Sequence, residues 1–165
     1  MSKQIPLTQG KFAIVDDEDY EQLSCHKWYA FNHHCTFYAV RGSSRQKGKR
    51  TIIFMHREIL GLGFGDQRQC DHRNGNGLDN GKTNLRMATS TQNNQNRRPR
   101  KGTSSRFKGV YWDRGRAKWR AKIRINGPQI NLGRFDSEID GAKAYDAAAV
   151  AAFGEFARIN FGDMP

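Results

Sequence analysis

The run CDHRNGNGLDN, residues 70 to 80, sets Asp71 beside His72 and follows the pair with two glycines and three asparagines over residues 73 to 80. An aspartate beside a histidine among Gly and Asn occurs in ordinary turns, but the pair would also suit the cutting of a phosphodiester bond. That reaction needs an activated water, an electrophile that neutralises charge on the phosphate, and a way to hold both in line. Magnesium answers the second need and takes oxygen ligands, of which Asp71 offers a carboxylate and Asn93 an amide carbonyl. His72, with an ordinary imidazole pKa of about 6.5, is largely neutral at cellular pH and accepts a proton from water. Neighbours on an extended chain point to opposite sides, so Asp71 and His72 turn inward together only if the strand ends between them. The loop glycines make such a break easy, and its asparagines satisfy irregular backbone from either end of their amides.

Two further residues bear on this chemistry. Arg86 would hold a phosphate by two parallel hydrogen bonds or lie over apolar neighbours. His56 precedes a short helix and would pack, cap it, or reach the phosphate. Cys25, His26, His33, His34 and Cys35 are spaced poorly for chelation, so no structural zinc is expected. With three cysteines and no CxxC pair, reduced thiols are the default.

The elements that must position these groups are short. Strands are predicted at KFAIV (11–15), TFYAV (36–40) and TIIFM (51–55), with an acidic turn DDEDY after the first and a basic loop over 41–50. HREILGLGFG should form a brief helix stopped by glycine. A strand NLRMAT and a helix capped by Ser90 and stopped by Pro99 follow the Asp-His loop. Trp28, Tyr29, Phe31, Phe37 and Tyr38 are read as N-terminal core.

Residues 97–106, RRPRKGTSSR, carry nothing to bury and are read as a mobile linker between modules 1–96 and 107–165. Beyond it, FKGVYW, KWRAKIRIN and QINLGRF are strands, the middle one alternating Trp119, Ala121, Ile123 with Arg120, Lys122, Arg124. Asn126-Gly127 signals a hairpin turn. Ser137 opens SEID, a capping signature for a helix to about Phe153 that Gly154 ends, with Ile139, Ala142, Tyr145, Ala149 and Phe153 on its inner stripe.

Charge is distributed unevenly. Residues 97–134 hold thirteen Lys or Arg against Asp113 alone, and so account for the whole formal charge of +12. That placement points to a polyanion, nucleic acid or an acidic surface. Three cations at alternate positions of one strand repel unless a phosphate partner relieves them. No apolar run approaches the roughly 20 residues of a membrane span and no signal peptide is evident, so a cytoplasmic protein is expected.

MHREIL, CDHRNGNGLDN and NLRMATSTQNN together resemble the HNH endonucleases of phage and intron homing type, whose fold is the ββα-metal module. The resemblance implies Asp71 and Asn93 as ligands of Mg2+, with Mn2+ as a substitute; Asn94 would take the place of Asn93 after a one-residue shift. It implies His72 as general base and Asn84, twelve positions on, as the asparagine that braces the loop. It also implies attack opposite the 3′ oxygen and a 5′-phosphate product. FKGVYW, KWRAKIRI, INLGRF, AKAYDAAA and ARINF resemble the DNA-binding domain of plant ethylene-response factors, a three-stranded sheet on one helix that enters the major groove. Lys108, Tyr111, Arg116, Arg120, Lys122, Arg124, Gln129 and Asn131 are the contact candidates, though Tyr111, Gln129 and Asn131 stand where the plant domains carry Arg or Trp.

The expectation is therefore an α+β chain: an N-terminal ββα-metal module with extra strands, then a three-stranded antiparallel sheet packed on a helix. Its function would be metal-dependent cleavage or nicking of double-stranded DNA, with His72, Asn84 and Arg86 in the catalytic set. The alternative is a non-catalytic, sequence-specific DNA-binding regulator. An RNA partner is a minor third reading, because the exposed aromatic arrays that stack single strands are lacking.

Overall fold

The computed structural model describes residues 1–33, 36–43, 51–99 and 102–162. The chain is mixed α+β, with small antiparallel sheets and, among the described residues, four α-helices. It divides into two compact units, Met1–Asn93 and Asn94–Pro165.

In the first unit, β1 (Ser2–Pro6) pairs antiparallel with β2 (Phe12–Asp16). Sequence pattern misses β1 because only Ile5 among its five residues is buried. The acidic stretch expected as a turn is a helix, α1 (Asp17–Ser24), with Asp17, Glu18 and Asp19 in its first turn. Unpaired N–H groups at a helix start favour negative charge, which makes an acidic run a helix opening as readily as a loop. Asp16, Glu18 and Asp19 cluster there, but Lys82 answers them: its backbone N–H donates to Asp16 and its ammonium lies 2.6 and 3.3 Å from Glu18 and Asp19.

A second sheet orders β3 (Tyr29–His33), β4 (Thr36–Gly42) and β5 (Ile52–Phe54). The chain then enters α2 (Met55–Ile59), so Met55 begins a helix where it was expected to finish a strand. Arg41 on β4 grips Glu58 on α2 through two 3.1 Å bonds. Ile5, Ala13, Val15, Leu23, Trp28, Ala39 and Met55 form the core beneath, and the Trp28 indole donates to the Leu23 carbonyl. Residues 44–50 of the basic loop, with His34 and Cys35, lie outside the described residues. Cys25 and Cys70 are free thiols, and burial pushes Cys70 up to about 12.

β6 (Gln69–His72) and β7 (Leu85–Ala88) form a separate two-stranded sheet followed by α3 (Ser90–Gln95). Thr89, not Ser90, caps that helix: its hydroxyl accepts from Gln92 N–H while the Gln92 amide oxygen accepts from Thr89 N–H, a reciprocal box.

The second unit orders β8 (Val110–Asp113), β9 (Lys118–Arg124) and β10 (Gln129–Phe135) with β9 central, covered by α4 (Glu138–Phe153). Asn126 and Gly127 both have positive φ, as a two-residue hairpin turn of the expected kind requires. Ser137 caps α4 by accepting from Ile139 N–H, and Ala142, Tyr145 and Ala149 are buried. Ile139 is exposed instead of inward, because the buried stripe runs through Gly141, Ala142, Tyr145 and Ala149. Gly109, at φ +78°, could not carry a side chain: a Cβ there would fall 2.0 Å from the Tyr145 ring. Arg100 and Lys101 of the expected linker lie outside the described residues, but its end is fastened. Ser105 is buried and donates to Glu138, and Ser104 accepts from Trp112 N–H. Short hydroxyl side chains that composition assigns to a linker serve here as backbone anchors.

Candidate active site

The site is built on the β6–β7 hairpin and the loop that joins its strands. Asp71 lies directly across from Arg86 and His72 across from Leu85, so the strand ends at His72 and not between the two as expected, and the Asp71 charge still bears on the His72 ring. Pairing continues through both because each side of the strand finds buried partners. Asp71 takes Arg86, whose Nε donates to Oδ2 at 2.8 Å and whose Nη2 lies 2.7 Å from the same oxygen. Arg86 is therefore held by a carboxylate that is 5% exposed.

His72, 6% exposed, turns to a different set. Its Nε2 is 3.3 Å from Oδ1 of Asn80. The Asn80 amide nitrogen donates to Leu78 O, so the oxygen faces the imidazole and Nε2 must be the protonated nitrogen. In the neutral ring the basic lone pair then lies on Nδ1. Burial lowers the His72 pKa from its ordinary value, opposed by the Asn80 bond and by the charges of Asp71 and Asp79. The ring is thus kept neutral, the form that accepts a proton.

Asn80 is completely buried, and sequence reasoning missed it among the loop's other asparagines. No periodicity marks it; only closure of the loop shows its place. That closure depends on β2. Ile14 N–H donates to Leu78 O and Asn80 N–H donates back to Ile14 O, both at 2.8 Å, so the loop adds itself briefly to the first sheet. Asn84 is placed as a brace: its Oδ1 accepts from Asn74 N–H at 3.0 Å and its Nδ2 donates to Asp79 O at 2.7 Å. Gly77 presses on β4, where a Cβ would sit 2.5 Å from Phe37 O, and its N–H donates to Thr36.

Asn93 is half-buried on α3, and its Nδ2 donates to Gln69 Oε1 at 2.9 Å. Gln69 is two residues before Asp71, hence on the same side of β6. That bond turns the amide nitrogen toward Gln69 and leaves the Asn93 carbonyl oxygen available as a donor to a cation. Asn94 is exposed. A carboxylate and an amide carbonyl are hard oxygen donors and fit Mg2+ or Mn2+ chemistry.

On the second unit, strand register gathers the expected cationic face. Arg120 lies opposite Tyr111 and Arg134, Lys122 opposite Asn131, and Arg124 opposite Gln129, so these seven side chains share one side of the sheet. Arg120 donates to Asn131 at 3.0 Å, and the Lys122 ammonium sits 5.1 Å above the Tyr111 ring and 3.4 Å from Gln129. Arg134 was not foreseen as a member; its regular offset from Asn131 is interrupted by a bulge before Gly133. Arg116 occupies the β8–β9 turn, largely exposed. Lys108 is not brought to the face: it precedes β8 and its ammonium donates to Gln95 O. Among the described residues no helix is long and apolar enough to cross a membrane.

No family model matches the chain. It is 31% identical over 153 residues to an uncharacterized HNH endonuclease of Acanthamoeba polyphaga mimivirus, covering 92% of this chain and 76% of that protein. It is 40% identical over 67 residues to an AP2-like ethylene-responsive transcription factor of Arabidopsis thaliana, covering 41% of this chain but 14% of the plant protein. Protein 3.8 of Escherichia phage T7 is 36% identical over 62 residues, 38% of this chain and 51% of that one.

Proposed function

The chain belongs to the HNH endonuclease family, and on that premise we propose that it is a metal-dependent, homing-type endonuclease that hydrolyses a phosphodiester bond in double-stranded DNA. The observation that carries this reading is the buried hairpin in which one strand presents a paired carboxylate at Asp71 and a neutral, tautomer-fixed imidazole at His72. The hairpin and α3 together read as the ββα-metal module.

In this reading His72 Nδ1 takes the proton of the attacking water, while Asn80 holds the ring by its other nitrogen. Asp71 and Asn93 would hold a magnesium ion, which when bound supplies Lewis-acid stabilisation of the departing oxygen. Arg86 fixes the Asp71 carboxylate against rotation, and Asn84 keeps the loop closed around the base. The cationic sheet of the second unit positions duplex DNA, with Arg120, Lys122, Arg124 and Arg134 facing phosphates and Tyr111, Gln129 and Asn131 facing base edges. Arg97 and Arg98, ahead of the fastened Ser104 and Ser105, would add contacts to the DNA backbone.

The alternative, a regulator that binds DNA and leaves it intact, is separated by one experiment. Supercoiled plasmid is incubated with and without Mg2+, using the protein and its His72→Ala variant. Cleavage that needs the metal and drops on the order of 10²- to 10⁴-fold in the variant, with binding kept, supports the enzyme. Intact plasmid under all conditions supports the regulator.

A further inference from the structure

His56, for which the sequence leaves packing, capping and phosphate contact open, stands against the proposed base. Its ring centroid is 5.0 Å from that of His72, the two planes at 87°. Tyr38 from β4 and Phe54 from β5 each lie 5.3 Å from it, and Tyr38 also reaches His72 at 5.8 Å. The residue is 8% exposed, and among the described residues its buried Nδ1 has no hydrogen-bond partner. α2, which carries it, is fixed to β4 by the Arg41–Glu58 pair. A phenylalanine would fill this aromatic box equally well without stranding a polar atom. Burial, with the neighbouring His72 and Arg57 adding to it, holds the His56 pKa at about 3, so the ring meets His72 uncharged.

We propose that His56 is a positioning residue of the active site: its edge fixes the plane of His72, and its Nδ1 completes its hydrogen bonding when the scissile phosphate and the attacking water enter. The inference rests on the hydrolytic reading of His72. An unpaired nitrogen in a dry aromatic box awaits a polar visitor, and the group adjoining the box is the one assigned to activate water. Tyr38 and Phe54 then shut bulk solvent from the side of the base that faces the N-terminal sheet.

The test compares full-length wild type with His56→Phe and His56→Asn. Phe keeps the ring and removes the nitrogens; Asn restores a hydrogen-bonding atom near the place of Nδ1. Thermal melting establishes that each variant is folded, and duplex affinity is measured without divalent metal. His56→Phe should melt no lower than wild type, bind DNA unchanged, and lose kcat by about 10- to 100-fold with little change in KM, the scale of a misoriented reacting group. His56→Asn should recover part of that loss. In 15N-imidazole spectra, duplex added without metal should move the His56 Nδ1 resonance. Wild-type kcat in His56→Phe, or an Nδ1 resonance that DNA leaves in place, overturns the proposal. Failure of the wild-type protein itself to cut DNA would instead overturn the nuclease reading beneath it.

Discussion

The hairpin of the first unit and the sheet of the second use polar side chains in opposite ways. Around β6 and β7 the polar groups are buried and turned on one another: Asp71 on Arg86, His72 on Asn80, Asn84 on two backbone groups of its own loop. On β8 to β10 the cations share a face that reaches solvent, tied by contacts such as Lys122 with Gln129 and Arg134 with Asp113. The first arrangement is a pre-set geometry that water cannot rearrange, which bond-making chemistry requires. The second is a charged surface able to track a backbone, which binding requires. Substitutions should therefore do different damage in the two places.

The largest stability effect expected is at the buried pair. Arg86→Met strands a carboxylate and should lower unfolding free energy of the first unit by about 3–5 kcal/mol, measured by denaturant titration. A loss under 1 kcal/mol would mean that the carboxylate is well solvated and the contrast too sharply drawn. Asn84→Ala removes the brace from Asn74 N–H and Asp79 O and should cost about 1–3 kcal/mol, with faster amide exchange across residues 73–81.

Acid should also single out the first unit. His56 stays neutral in the folded state down to about pH 3, whereas an unfolded histidine protonates near pH 6.5. Between those values the unfolded chain binds the extra proton, so stability falls as pH drops, by up to about 1.4 kcal/mol per unit for this group. Melting curves from pH 7 to 4 should show that slope, and His56→Phe should flatten it. The smallest effect lies on the open face: Lys122→Ala should change stability by less than about 0.5 kcal/mol while lowering the salt dependence of DNA binding by about one phosphate contact.

The same contrast explains what could be read beforehand. The second unit announces itself through local rules: alternation along 118–126, the Asn-Gly turn and the Ser137 cap each act within a few residues. In the first unit a motif points to Asp71, His72, Asn84 and Asn93 as candidates, whereas nothing local points to Asn80. Its role depends on β2, more than sixty residues earlier, meeting the loop. β1 and α1 escaped for a related reason: few of their residues face the core, so neither shows a hydrophobic period. Thr89 and Ser90 are equally good caps by type, and only the reach of Gln92 selects between them.

The double clasp between Ile14 and the loop bears on how portable this hairpin is. Residues 69–96 look like a cassette that could be moved onto another DNA-binding scaffold. Yet Ile14 supplies both backbone groups that hold Leu78 and Asn80, and the histidine's orientation depends on Asn80. A transplant shorter than the first 96 residues would carry the motif without its frame, and the imidazole would arrive free to spin.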